Sequence, residues 1–201
     1  MTKQLSELMD HGCRRRLFFI VSVILIWTAH QAGAQSVNYF YEDLSVSSGS
    51  YITASEASEF HLFAGFINQS SMASQCSTDT AFLFFKMMTT SDHSVYLPGR
   101  DDGPKPAGYV NNYAWKGITI EPGNSLTLHD GNASPGAAQY VKVLTGVLAA
   151  GSQVTNISGN GLNIYYAADL TGNDYLGGQT YNLAGGGHLI PVSPLCDGSD
   201  I

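Results

Sequence analysis

From residue 36 onward the apolar positions come in short runs, most of them alternating with polar ones and bounded by glycine, asparagine or proline. That period-2 pattern with breaker residues at each end predicts β-strands rather than helices. It places strands at Val37 to Leu44, Glu59 to Phe66, Gln139 to Leu148, Gln153 to Ile157, Leu162 to Tyr166, Thr180 to Leu183 and His188 to Val192. Ala81 to Met88 is almost wholly apolar, and its Phe82, Phe84 and Phe85 favour a buried strand. Gly117 to Asp130 predicts a hairpin, with Ile118 and Ile120 on one arm, Leu126 and Leu128 on the other, and a Glu121-Pro122-Gly123-Asn124 turn between. Leu97 to Gly108, with Pro98, Pro104 and Pro106 around Arg100-Asp101-Asp102, reads as an exposed loop. No fixed-period repeat stands out. About ten short strands separated by glycine-rich turns predict an all-β fold, a β-sandwich or jelly-roll-like single domain.

The N-terminus carries a different pattern. Arg14, Arg15 and Arg16 precede an apolar run from Leu17 to Ala29, and Ala32-Gly33-Ala34 supplies a small-residue end before Gln35. That order is a secretory signal, and the apolar run is too short to span a bilayer, which takes about 20 residues. The expected organisation is a signal peptide at 1–34, the β-domain at 35–192 and a tail at 193–201, in a protein that is secreted or held at the cell surface. No later stretch is long and apolar enough for a membrane span.

Composition alters this picture in two ways. Removing residues 1–34 leaves five basic and fourteen acidic side chains, a net charge of −9. A chain with that field does not attract nucleic acid or anionic headgroups. Cys13 leaves with the leader, and the remaining Cys76 and Cys196 predict one disulfide in an oxidising compartment.

Candidate chemistry is sparse. His61, His93, His129 and His188 show no metal-ligand spacing. Asp92-His93-Ser94 has the letters of a triad, but triads are made by geometry rather than adjacency, and no G-x-S-x-G elbow accompanies it. Glu42, Asp43, Glu56, Glu59 and Glu121 offer carboxylates without marking a pair. No catalytic residue and no cofactor are assigned. Asp169, Asn173 and Asp174 lie in one loop with hard oxygen donors and form a candidate structural calcium site, with Asp101 and Asp102 a second candidate; turn formation is the competing reading of both. If Tyr109 to Trp115 is extended, then Tyr109, Asn111, Tyr113 and Trp115 share one face and form a candidate platform for sugar rings, against the alternative that they fill the core.

One segment carries a resemblance. Gly159 to Val192 reads GNGLNIYYAADLTGNDYLGGQTYNLAGGGHLIPV. It resembles the final part of exported proteins of Gram-negative bacteria that bear a PEP-CTERM sorting tag. The tag itself, a Pro-Glu-Pro signature with an apolar helix and a basic end, does not follow Val192 here. The resemblance implies a surface-associated or exopolysaccharide-associated protein and identifies no catalytic residue. The expectation is therefore a secreted, non-catalytic structural or adhesive protein whose partners are extracellular polysaccharide or other surface proteins. A carbohydrate-binding module and a secreted hydrolase are the alternatives.

Overall fold

The computed structural model describes residues 36–87, 91–132 and 136–193. The signal-peptide reading at 1–34 and Cys196 lie outside them. Fourteen strands and three short 3-10 helices make up the regular structure of the described residues, which is all-β as expected. The strands are β1 (Val37–Phe40), β2 (Leu44–Val46), β3 (Glu59–Leu62), β4 (Phe66–Asn68), β5 (Phe82–Phe85), β6 (Asp92–Leu97), β7 (Trp115–Ile120), β8 (Ser125–Asp130), β9 (Ala138–Thr145), β10 (Ala149–Ala150), β11 (Gln153–Ser158), β12 (Asn163–Ala167), β13 (Tyr181–Ala184) and β14 (His188–Val192).

Pairing follows an every-other-strand rule. One ladder runs β1-β3-β5-β7-β9-β12-β14 and a second runs β2-β4-β6-β8-β11-β13; the antiparallel pair β13/β14 joins them at the C-terminal end. Within each ladder the strands are parallel. The chain thus winds in coils, laying one strand on each ladder per turn. The predicted hairpin is corrected here. Both of its arms are strands, but β7 pairs with β5 and β9, and β8 with β6 and β11. The turn between them is a coil corner. Two stacked layers are present, connected as coils rather than by the antiparallel crossovers of a jelly roll.

The corners explain two further departures. Val37 to Leu44 and Glu59 to Phe66 each split into two strands, because the chain changes ladder at 41–43 and at 63–65. Gly65 is needed at the second corner: a Cβ there would lie 2.8 Å from the Ser94 carbonyl oxygen and 2.9 Å from Asp43 Oδ1. The coil length also varies. Tyr39 is in register with His61, His61 with Phe84, Phe84 with Thr119 and Thr119 with Thr145, steps of 22, 23, 35 and 26 residues. A repeat exists in space without a constant spacing in sequence.

The core lies between the ladders. Trp115, 1 % exposed, is met edge-on by Phe60 at 5.6 Å and Phe66 at 5.9 Å, one ring from each ladder. Leu62, Leu83, Phe85, Leu97, Ile120, Leu128 and Leu144 fill the remainder with almost no exposure. Each buried side chain of this size contributes about 1.5–3 kcal/mol. Asparagines serve the corners. Asn112 accepts from the Arg100 N–H and donates to the Arg100 carbonyl, Asn156 accepts from Leu148 N–H and donates to Gly146, and Asn160 donates to Leu128. A side-chain amide carries the same donor and acceptor as a peptide group, so it substitutes for a missing strand neighbour.

Candidate functional site

The expected sugar platform is not formed. Pro106–Tyr109 is a 3-10 helix, and Asn111 and Tyr113 adopt positive φ values of 51° and 56°, so the segment is folded back on itself rather than extended. Trp115 faces the core. Tyr113 is buried and donates to the Ser70 carbonyl at 2.6 Å. Tyr109 donates to the carbonyls of Tyr165 and Val141. Only Asn111 is exposed. The bland alternative, aromatics as filling, is the one realised for Trp115 and Tyr113.

Tyr109 belongs to a tyrosine cluster on the outer side of the first ladder. Tyr140 and Tyr165 are in register on β9 and β12, their rings stacked at 4.7 Å, and Tyr109 meets Tyr140 at 5.2 Å edge-on. The 98–114 excursion covers them. Tyr165 donates to Asp101 Oδ1 at 2.7 Å, Asn163 donates to Asp101 Oδ2, and Tyr140 donates to the Gly103 carbonyl while accepting from Asp102 N–H. Burial pushes the Tyr109, Tyr140 and Tyr165 hydroxyls above the ordinary tyrosine range; at Tyr165 the Asp101 carboxylate adds to the rise. Asp101 is thus a tether for the excursion. Gly108 permits the close seat, since a Cβ there would meet the Tyr140 ring at 2.1 Å.

The calcium candidates separate. Asp169 and Asp174 are exposed, whereas Asn173 is 1 % exposed and turned inward. Its Oδ1 accepts from Leu144 N–H at 2.9 Å, and its Nδ2 donates to the carbonyls of Lys142 at 2.7 Å and Ala167 at 2.6 Å. The register of β9 with β12 runs to Val141 and Tyr166, so Asn173 takes over where that register ends. The Asn173 amide is thus turned into the chain and committed to three backbone partners, while the two carboxylates face solvent. Among the described residues no group of three or more His, Cys, Asp or Glu side chains is arranged to hold a metal.

The histidines also spread apart. His93 is fully buried, with Nδ1 2.7 Å from the Ala64 carbonyl and Nε2 2.9 Å from Asn124 Oδ1. Asp92 and Ser94 flank it on the opposite face of β6, so the three letters of the triad do not meet. His129 stacks on Tyr96 at 4.6 Å. His61 was not singled out by spacing, and the structure gives it the richest setting. Its ring lies between Tyr39 at 4.9 Å and Phe84 at 4.6 Å, and Nε2 meets Glu59 Oε2 at 2.7 Å. The signal was the i, i+2 placement of Glu59 and His61 on one strand face, which puts both side chains on one side.

Two surfaces among the described residues stand out as open to a ligand or partner. The first is a cleft of about 720 Å³ beside the excursion, lined by Pro104, Ala168, Asp174, Gly177, Pro191 and Ser193. The second is the first rung. There Val37, Tyr39, Tyr41 and Tyr51 are 44 %, 56 %, 60 % and 47 % exposed, and Tyr41 stacks on Phe63 at 4.9 Å with ring planes 11° apart. Further along the same outer face the rings are covered, with Lys86 over Phe84 at 5.9 Å and Lys116 over Phe82 at 5.3 Å. Cys76 is half-buried at a corner, and burial pushes its thiol up. No helix among the described residues is long and apolar enough to cross a membrane.

Coiled parallel ladders with a shared core define a β-solenoid. Comparison of the chain with protein-family models, curated proteins and solved structures returns no match.

Proposed function

We propose that this chain is an exported, non-catalytic protein of the cell surface or extracellular matrix, with a structural or adhesive role. The observation that carries this reading is the coil architecture itself, in which one continuous core runs between ladders whose outer faces present rows of side chains in register. Such a body offers surface along its length, where an enzyme needs converging groups. The leader pattern and the resemblance of Gly159 to Val192 to exported PEP-CTERM-type proteins support the location, and the expected Cys76–Cys196 disulfide belongs to the same reading. The test is expression in a Gram-negative host, with N-terminal sequencing of the processed chain and its co-fractionation with the matrix. A start at Gln35 and retention in the matrix are expected. Recovery of Met1 in the cytoplasm, or turnover of any polysaccharide or ester in a panel, refutes it.

A second reading, binding of a neutral saccharide, moves from Trp115 to the cleft beside Pro104. Asp174 and the peptide groups of Gly177 and Gly178 line this cleft and offer hydrogen-bonding groups next to the apolar faces of Pro104 and Pro191. Asp174→Ala is expected to remove retention on a glycan array; unchanged retention, or none in the parent, removes the reading.

A further inference from the structure

The two ends of the solenoid are built differently. At the C-terminal end β13 and β14 pair with each other, which closes the ladders onto themselves. At the other end β1 and β2 each have a single neighbour among the described residues, β3 and β4. The hydrogen bonds Glu59 N–H to Ser36 O and Phe63 N–H to Phe40 O show which peptide groups of β1 face β3. By strand alternation, those of Val37, Tyr39 and Tyr41 point the other way. On β2, Leu44 N–H donates to Gly65 O and Val46 O accepts from Gln69 N–H, which leaves the Ser45 peptide pointing outward. Neither strand carries the lysine or proline that shields an edge. The aromatic stacks end here too: Tyr39 sits on His61 and Tyr41 on Phe63, each with one ring face covered and one turned toward the position of the next rung.

We propose that the first rung is an assembly edge at which a second copy of this chain docks head to head. The inference rests on the export reading for its occupant. On that reading the processed chain begins at Gln35, two residues before β1, too few to lie along the edge. A second copy brings the same two open strands and the same two tyrosines, so the contact is self-complementary and two-fold. Among the described residues the closed C-terminal end offers no edge to a third copy. The product is a discrete dimer, not a fibre. At a net charge of −9 the copies repel through solvent, so added salt strengthens the contact.

The experiment is light scattering and small-angle X-ray scattering on the processed chain recovered after export, and on the full chain, at low and high salt. Two variants accompany them, Tyr39→Pro and Ser45→Pro. Each removes an N–H that points away from the ladder, so each leaves the monomer's own pairing intact, which circular dichroism and a melting curve verify. The expected result is a dimer of about twice the monomer's length, with the dissociation constant raised at least tenfold by either proline. A monomer at high concentration, an open series of oligomers, a side-by-side dimer, or a dimer indifferent to both prolines overturns the inference. The export reading fails separately, by N-terminal sequencing that finds Met1.

Discussion

Asn173 separates two accounts of the same residue, calcium ligand and backbone stitch, because they predict opposite signs for one substitution. Asn173→Ala removes one acceptor and two donated bonds at a site that is 1 % exposed. The orphaned Leu144 N–H is the costly loss, since a buried unsatisfied group costs about 1–3 kcal/mol, while the Lys142 and Ala167 carbonyls each lose one bond. The expected destabilisation is about 3–5 kcal/mol, a large fraction of the 5–15 kcal/mol typical of a domain. Asn173→Asp is the sharper probe. The carboxylate still accepts from Leu144 N–H, but it faces two carbonyl oxygens with no proton to offer. Its cost at neutral pH is at least that of alanine and shrinks as the pH falls, because a protonated carboxyl regains one donor. As a calcium ligand, aspartate is instead an improvement, and stability in the presence of the ion rises. The assay is urea unfolding followed by Trp115 fluorescence, with calcium or with chelator; with Trp27 in the leader removed, Trp115 is the single reporter. A loss under 1 kcal/mol for alanine, or an aspartate variant that calcium stabilises, refutes the stitch.

Other outcomes follow from the same geometry. Gly146→Ala places a Cβ 1.8 Å from the Ile120 carbonyl oxygen at a φ of +82°, and should cost about 3 kcal/mol or more, whereas Gly151→Ala, at φ +62° in open space, should cost about 1 kcal/mol; equal melting temperatures would contradict this. Alkaline pH should unfold the chain. Burial pushes the Tyr166 hydroxyl up to about 12, so between pH 10 and 12 the unfolded chain gives up a proton the folded one keeps, and stability falls by about 1.4 kcal/mol per pH unit. Tyr109, Tyr140 and Tyr165 add in the same direction, and circular dichroism that stays unchanged through pH 12 would rule it out. After reduction, Cys76 should react slowly with a thiol reagent at pH 8 and quickly in denaturant, since burial raises its thiol; a rate equal to that of free cysteine speaks against the corner geometry.

Strand positions were legible because alternation records which residues face a core. His188 to Val192 coincides with β14, and both arms of Gly117 to Asp130 are β7 and β8. The partners of those strands were not legible, since an arm has the same pattern whether it pairs with its neighbour in sequence or with the next coil. At 121–124 the decision is made by a contact that leaves the turn. Asn124 donates to the Glu121 carbonyl and turns its Oδ1 to His93, which seats the corner against β6 rather than leaving it in solvent. The platform failed on backbone conformation, since Asn111 and Tyr113 at positive φ cancel the alternation that placed four side chains together. Nothing in the pattern marks Asn112, Asn124, Asn156 and Asn173 as interior residues, yet all four are buried. Composition counts such residues without saying whether water or backbone holds them.

Stitched corners also permit unequal coils, and that has a consequence for where the molecule is weakest. Because Asn112 and Asp101 anchor the 98–114 excursion, it lies over the later rungs, and β9 and β12 are held by ladder, core and cover together. Among the described residues β1 and β2 have one neighbour strand each, and Tyr39 on β1 and Tyr41 just beyond it are exposed. Local opening therefore begins at the first rung, with a free energy well below that of global unfolding. Hydrogen exchange reads this directly. In the monomeric Ser45→Pro variant the amides of β1 should exchange orders of magnitude faster than those of β9. In the parent the outward amides of Val37 and Tyr39 should slow as protein concentration rises through the dimer's dissociation constant. Concentration-independent exchange at β1, or a first rung as protected as β9 in the monomer, would show that the edge is closed by something other than a second copy.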